Sequence, residues 1–147
     1  MKYTYRFQKV LELKENEKEK SLEDYNRSVT EFEKAAEKLY DCLKKKEVLE
    51  ERTARELNTG MPVQEIRHFQ QFVTNLEKTI THYQRLVVIT RDNMQERQLE
   101  LTEKNIEVKK YEKMKEKHYE VHLEHVKASE SKFMDDLSIQ AFALRGN

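Results

Sequence analysis

The sequence predicts an all-α fold, a long two-helix antiparallel coiled-coil hairpin, and three observations carry that prediction. Apolar residues recur three and four apart through two long stretches, the spacing that lines one face of a helix. Only two glycines and one proline occur in 147 residues, so almost nothing interrupts a helix. One glycine and the proline fall together in Asn58-Thr59-Gly60-Met61-Pro62; asparagine and glycine tolerate the left-handed conformation that ends a helix, and Pro62 disfavours helix at Met61. With 38% charged and 37% apolar residues and a mean hydropathy of -0.99, a thick globular core is not expected. Disorder is disfavoured in turn by the helical spacing of the apolar residues.

The first helix is expected over about residues 5 to 57, roughly 80 Å at 1.5 Å per residue. Its seam reads Leu22, Tyr25, Val29, Phe32, Ala36, Leu39, Leu43, a coiled-coil pattern of about three heptads. Upstream lies a more apolar cluster of Phe7, Val10, Leu11 and Leu13; downstream, Lys44-Lys45-Lys46 interrupts the seam before Leu49 and Leu57. After a turn at about 58 to 63, a second helix is expected over about 64 to 144. Its seam is Ile66, Phe69, Val73, Leu76, Ile80, Tyr83, Val87, continuing more weakly through Met94, Leu101, Val108 and Tyr111. Helices joined by so short a connector fold back on each other, so the whole chain, 1–147, reads as one α-helical coiled-coil domain. A turn near Met61 brings Leu39 opposite Tyr83 and Leu11 near Tyr111, and exhausts the first helix near Lys117. Residues 118–147 then overhang, with their own stripe of Tyr119, Leu123, Val126, Phe133 and Leu137. The path Val108, Tyr111, Lys115, Tyr119, Leu123, Val126 contains consecutive steps of four, a stutter that locally unwinds a coiled coil.

Phe72, Leu86 and Ile89 lie outside the second seam, and Phe72, Thr79 and Leu86 fall in one flanking column. The apolar arc from 66 to 89 is therefore wider than one partner helix covers. A third helix or self-association would bury it; a docking face for another protein would use it. Both readings remain open from the residues alone.

Other function classes are disfavoured. Lys plus Arg and Asp plus Glu both number 28, which leaves no basic excess for a nucleic-acid backbone or an anionic membrane. The longest apolar run, Leu86-Val87-Val88-Ile89, is too short for a membrane span, and the opening MKYTYRFQKV has no signal-like apolar core. A cytoplasmic protein is expected. Cys42 has no second cysteine to pair with and, beside Leu39 and Leu43, reads as a small half-buried residue rather than a nucleophile. His118, His122 and His125 share a helix face at steps of four and three, but without an accompanying cysteine they read as a polar face rather than a metal site. Two glycines cannot build a phosphate loop and a two-helix rod offers no water-excluding cleft. No enzyme, cofactor or metal is expected, and runs such as Lys14 to Lys20 read as solvated faces laced with i to i+4 pairs.

The segment FQQFVTNLEKTI, Phe69 to Ile80, just after the helix break, resembles the corresponding segment of the FliJ family of flagellar type III export proteins. The opening YTYRFQKVLELKENEKEKSL is similar to the start of Bacillus-type members. The likeness covers the chain in length and order of elements, and is specific at the QQF…LEK segment. It implies a non-enzymatic cytoplasmic coiled coil similar to the central stalk, the γ subunit, of rotary ATPases. Such a protein docks into the export ATPase hexamer, links it to the cytoplasmic domain of the export gate at the inner face of the membrane, and acts as an export chaperone or recycles export chaperones. By resemblance, gate binding falls on Phe72, Leu76, Thr79 and Tyr83 with Lys38, Cys42 and Leu49; Phe72 and Thr79 belong to the column that spacing alone singles out. Binding to the ATPase ring is expected at Phe7, Leu11, Tyr119, Leu123, Val126, Phe133 and Leu137, since the overhang lacks an internal partner. The alternative is a self-associating structural coiled-coil scaffold.

Overall fold

The computed structural model describes residues 3–145 and holds two helices, α1 (Gln8–Thr59) and α2 (Val63–Arg145), with no strand among the described residues. Helix α1 begins after a non-helical lead of Tyr3 to Phe7; the Tyr5 carbonyl accepts from Gln8 N at 3.1 Å and the Phe7 carbonyl from Leu11 N at 2.9 Å. Between the helices Gly60 has a φ of 91°, a left-handed conformation that only glycine adopts without cost. The Pro62 carbonyl starts α2 by accepting from Glu65 N and Ile66 N at 3.1 and 3.2 Å. Proline suits this entry because it needs no N–H partner there.

The chain packs as two compact units, Met1–Glu19 with Glu103–Asn147, and Lys20–Thr102. In Lys20–Thr102 the helices run antiparallel, tied across by Lys46 Nζ to Glu77 Oε1 at 3.5 Å. The inward positions of α2 are Ile66, Phe69, Val73, Leu76, Ile80, Tyr83 and Val87, all at least half-buried, followed by Thr90, Met94, Arg97 and Leu101. On α1 they are Ser21, Tyr25, Ser28, Phe32, Ala35, Leu39, Cys42, Lys46, Leu49 and Thr53, an unbroken alternation of four and three that carries straight through the lysine run.

Four of the seven expected α1 seam positions are thereby corrected. Tyr25, Phe32 and Leu39 face inward, but the alternate column is Ser21, Ser28, Ala35 and Cys42 rather than Leu22, Val29, Ala36 and Leu43. Ser28 and Ala35 are each 2% exposed, while Leu22 and Leu43 are 42% and 44% exposed. The two columns are adjacent on the helix, so the contact line has rotated by one residue. Small side chains on α1 leave room for Ile80, Tyr83 and Val87 on α2, and the larger α1 residues cover the edge of the contact. Ser28 meets its polar requirement locally, its Oγ donating to the Tyr25 carbonyl at 2.6 Å.

In the other unit the non-helical lead and the start of α1 lie against α2. Tyr5, Leu11 and Val108 are 5%, 3% and 2% exposed, each burial contributing on the order of 1.5–3 kcal/mol. The lead is fixed by its phenols: Tyr5 Oη donates to the Tyr111 carbonyl at 3.3 Å and Tyr3 Oη to that of Lys115 at 3.4 Å. Within this unit Lys14 pairs with Glu107 at 3.7 Å and Lys104 with Glu17 at 3.5 Å, so α1 and α2 run antiparallel here; these partly exposed pairs add little energy but fix alignment. Beyond Tyr111 the half-buried residues of α2 are Lys115, His122 and Val126, so the inner line keeps its seven-residue spacing to His122, with Tyr119 and Leu123 beside it. From Lys127 to Arg145 every residue is exposed.

Candidate protein-interaction surfaces

All seven residues that the resemblance assigns to the gate lie in Lys20–Thr102. Cys42, Leu49, Leu76 and Tyr83 are inward and half-buried, whereas Lys38, Thr79 and Phe72 are outward. Phe72 is 58% exposed because its column flanks the contact line instead of lying on it. It forms one wall of a groove with Leu49, Val48, Lys44, Lys45 and Arg52, which continues toward the turn along Phe69, His68 and Met61. Val48, 56% exposed, extends the apolar floor and escaped the sequence reading, which took the neighbouring lysines as an interruption; its spacing from Phe72 across a turn carries no sequence signal.

Beside Phe72 and Val48 the groove has a small basic excess, Lys44, Lys45 and Arg52 against Asp41, while toward the turn Glu56 and Glu65 also line it. Arg52 is held by Glu56 at 3.1 Å, but neither Lys44 nor Lys45 has an ion-pair partner among the described residues, and Asp41 is the one carboxylate in the lining beside Phe72 and Val48. The opposite flank of the same pair is acidic: Glu50 and Glu77 rim a hollow floored by Leu57, Ile66 and Val73, and Lys46 reaches between them at 3.8 and 3.5 Å. Leu86 is half-buried, and Ile89, 63% exposed, lies with Val88, 46% exposed, beside Thr81, Gln84 and Arg85. The wide arc read from sequence therefore resolves into two separate exposed sites, Phe72 on a flank and Val88 with Ile89 on the outer face of α2.

The residues assigned to the ATPase ring all lie in the unit of Met1–Glu19 and Glu103–Asn147. Leu11 is buried against α2, and Phe7 is 37% exposed at the end of the lead. Tyr119 and Leu123 are 44% and 40% exposed, Phe133 63% and Leu137 44%; Val126 is half-buried. Met134, Ile139, Phe142 and Leu144, at 61% to 81% exposed, enlarge this surface; Met134, Ile139 and Phe142 leave the column of Phe133 and Leu137, and Leu144 extends it one heptad past the expected stripe.

Tyr3 is packed in an aromatic cluster, edge-on to Tyr119 at 5.0 Å and tilted against His118 and His122 at 5.8 and 5.2 Å. Its hydroxyl lies 3.1 Å from His118 Nδ1. Partial burial, followed by the neighbouring Tyr5 and Tyr119 phenols, raises its pKa above the ordinary tyrosine value. His118 and His122 thus serve packing, and among the described residues no group of three or more His, Cys, Asp or Glu is arranged to hold a metal ion. None of the described helices is long and apolar enough to cross a membrane.

A family model described as Flagellar FliJ protein matches residues 1–147. The chain belongs to the FliJ family. It is also 56% identical over 147 residues to the Flagellar FliJ protein of Bacillus subtilis (strain 168), covering 100% of both chains. No solved structure matches the chain. Membership of the FliJ family supports a component of flagellar protein export and agrees with the resemblance carried by FQQFVTNLEKTI. Two long helices, with no strand among the described residues, are compatible with a helical hairpin.

Proposed function

We propose that this FliJ-family chain is a non-enzymatic coupler that links the export ATPase hexamer to the cytoplasmic domain of the export gate and takes part in handling export chaperones. One observation supports this reading above the others: large unpartnered apolar surfaces occur in both compact units, one centred on Phe72 and the other on α2 beyond Tyr119. Two separate surfaces suit a protein that holds two partners.

On this reading the Phe72 groove binds the gate together with Thr79 and Lys38, exposed positions one heptad along from Phe72 and Lys45. Cys42, Leu49, Leu76 and Tyr83 hold the helix pair in shape beneath it, and association with the inner face of the membrane is peripheral, through the gate. Phe7, Tyr119, Leu123, Val126, Phe133 and Leu137 bind the ATPase ring, while buried Leu11 fixes the lead that carries Phe7. The chain supplies binding and alignment, and the chemistry of ATP hydrolysis belongs to the ring.

Binding of purified gate domain and of ATPase hexamer tests the reading. Phe72→Ala is expected to weaken gate binding by about tenfold or more and to spare the ATPase. Truncation after Lys117 is expected to do the reverse. Loss of both partners in both variants, or of neither in either, would sink the two-surface assignment; circular dichroism of each variant separates lost contacts from lost helix.

A further inference from the structure

We propose that the carboxyl-terminal stretch of α2 from one copy docks into the Phe72 groove of a second copy, so that this protein covers its own interaction surfaces when other partners are absent. The two surfaces complement each other in shape class and in charge. On a helix, Val126, Phe133, Leu137 and Leu144 fall along one stripe, and Glu130 and Asp136, three residues before and after Phe133, flank it on opposite sides. Neither carboxylate has an ion-pair partner among the described residues. Phe133, Leu137 and Leu144 are 63%, 44% and 81% exposed, and no part of the described chain covers them.

The receiving groove offers the counterpart. Phe72 and Val48 form an exposed apolar floor, and Lys44 and Lys45, the cations of its rim without an ion-pair partner among the described residues, stand beside it. Two carboxylates bordering an apolar stripe thus meet two lysines bordering an apolar groove; Lys44 lies over the Tyr40 ring at 5.9 Å, and Asp41 is the one carboxylate beside the pair, which leaves the excess charge there positive. An amphipathic helix laid in a groove buries its stripe while charges at the rim set orientation. The reverse pairing is poor: the acidic hollow at Glu50 and Glu77 would face Glu130 and Asp136 with like charge.

The contact is heterologous, since stripe and groove are different patches of one chain. Each copy that gives its stripe retains an open groove, so association extends past the dimer unless geometry closes a ring. The association depends on salt because each ion pair lies at an exposed rim. The association itself uses only this chain's own surfaces, and only its role in covering them when partners are absent rests on the partner assignment above.

Sedimentation of the full chain at low salt over a wide concentration range provides the test. The unsubstituted protein is expected to show concentration-dependent association that weakens as salt rises. Lys44→Glu with Lys45→Glu, or Glu130→Lys with Asp136→Lys, is expected to raise the dissociation constant by about tenfold or more. A chain with all four substitutions restores complementarity and should return to within about threefold of the original affinity. All four positions are exposed, and helicity is followed in each variant. A chain that is monomeric at every concentration overturns the proposal. So does association that survives either charge reversal, that is not restored by the fourfold change, or that Ile89→Lys abolishes as completely, which would assign the contact to the outer face of α2.

Discussion

From Ile66 to Val87 the seam residues of α2 return every three or four positions and each is at least half-buried, with Phe72 exposed outside that seam, whereas from Phe133 to Leu144 the large apolar residues are 44% to 81% exposed on the same helix. The difference lies in the neighbour each stretch possesses. In Lys20–Thr102 the column of Ser21, Ser28, Ala35 and Cys42 accepts the larger α2 side chains. The distal stretch has no counterpart among the described residues. Its helix can still persist, because nucleation is supplied by the helical turns before it and each added residue needs only propagation. Helical spacing thus reports a face, and burial depends on what the rest of the chain sets against that face.

Removing a buried contact from the paired part should have the largest effect. Leu11→Ala deletes a side chain that is 3% exposed and is expected to lower stability by about 2–5 kcal/mol, measured by thermal or urea unfolding. Enlarging the small column comes next: Ala35→Leu puts three more carbons at a position 2% exposed and should cost about 1–3 kcal/mol. If Ala35→Leu stabilises instead, the small column is not a tight contact and the contrast with the distal stretch fails. At the turn, Gly60→Ala forces a side chain into a φ of 91°, expected to cost about 1 kcal/mol. Open space around that position makes backbone strain the whole effect. At the lower end of the series, Phe133→Ser should change stability by no more than about 0.5 kcal/mol; a loss comparable with Leu11→Ala would mean that the distal stretch has an internal partner after all.

The raised pKa of Tyr3 predicts a pH dependence for the unit that contains it. A phenol whose pKa is raised on folding is favoured in its neutral form, so its contribution to stability is intact below the unfolded tyrosine pKa and is lost as pH rises through the folded value. Unfolding of the wild type should therefore gain an alkaline component that Tyr3→Phe lacks, read as the difference between the two stability profiles above about pH 10.

Much of this architecture was legible in the residues. The α2 seam from Ile66 to Val87 needed only periodicity, and the reversal needed only Gly60 beside Pro62. The alternate α1 column was not legible, because Leu22, Val29, Ala36 and Leu43 are the more apolar of two adjacent columns, while a close helix contact selects the smaller one. Lys46 misled for a similar reason: its charge suggests an interruption, yet its stem lies on the contact line while its ammonium reaches Glu50 and Glu77. For the interaction surfaces, Phe72 was visible as a residue outside the seam. Its grouping with Val48, Lys44 and Lys45 was not, since that depends on the register across the turn. Leu11 could not be distinguished from its exposed neighbour Leu13, 56% exposed, until the non-helical lead fixed which side of α1 meets α2.

The opposed flanks near the turn also bear on how a partner arrives. Equal numbers of acidic and basic residues give the chain no net monopole, yet beside Phe72 two lysines stand with a single carboxylate, Asp41, while on the other flank Glu50 and Glu77 share the one cation Lys46. The pair therefore carries a transverse dipole whose field dies away faster than that of a net charge and is damped beyond about 8 Å at physiological salt. An approaching charged surface feels little pull from afar, then a torque at close range that turns the lysine side toward acid. Orientation of a charged partner is then set over the final ångströms of approach, rather than by long-range attraction through the solvent.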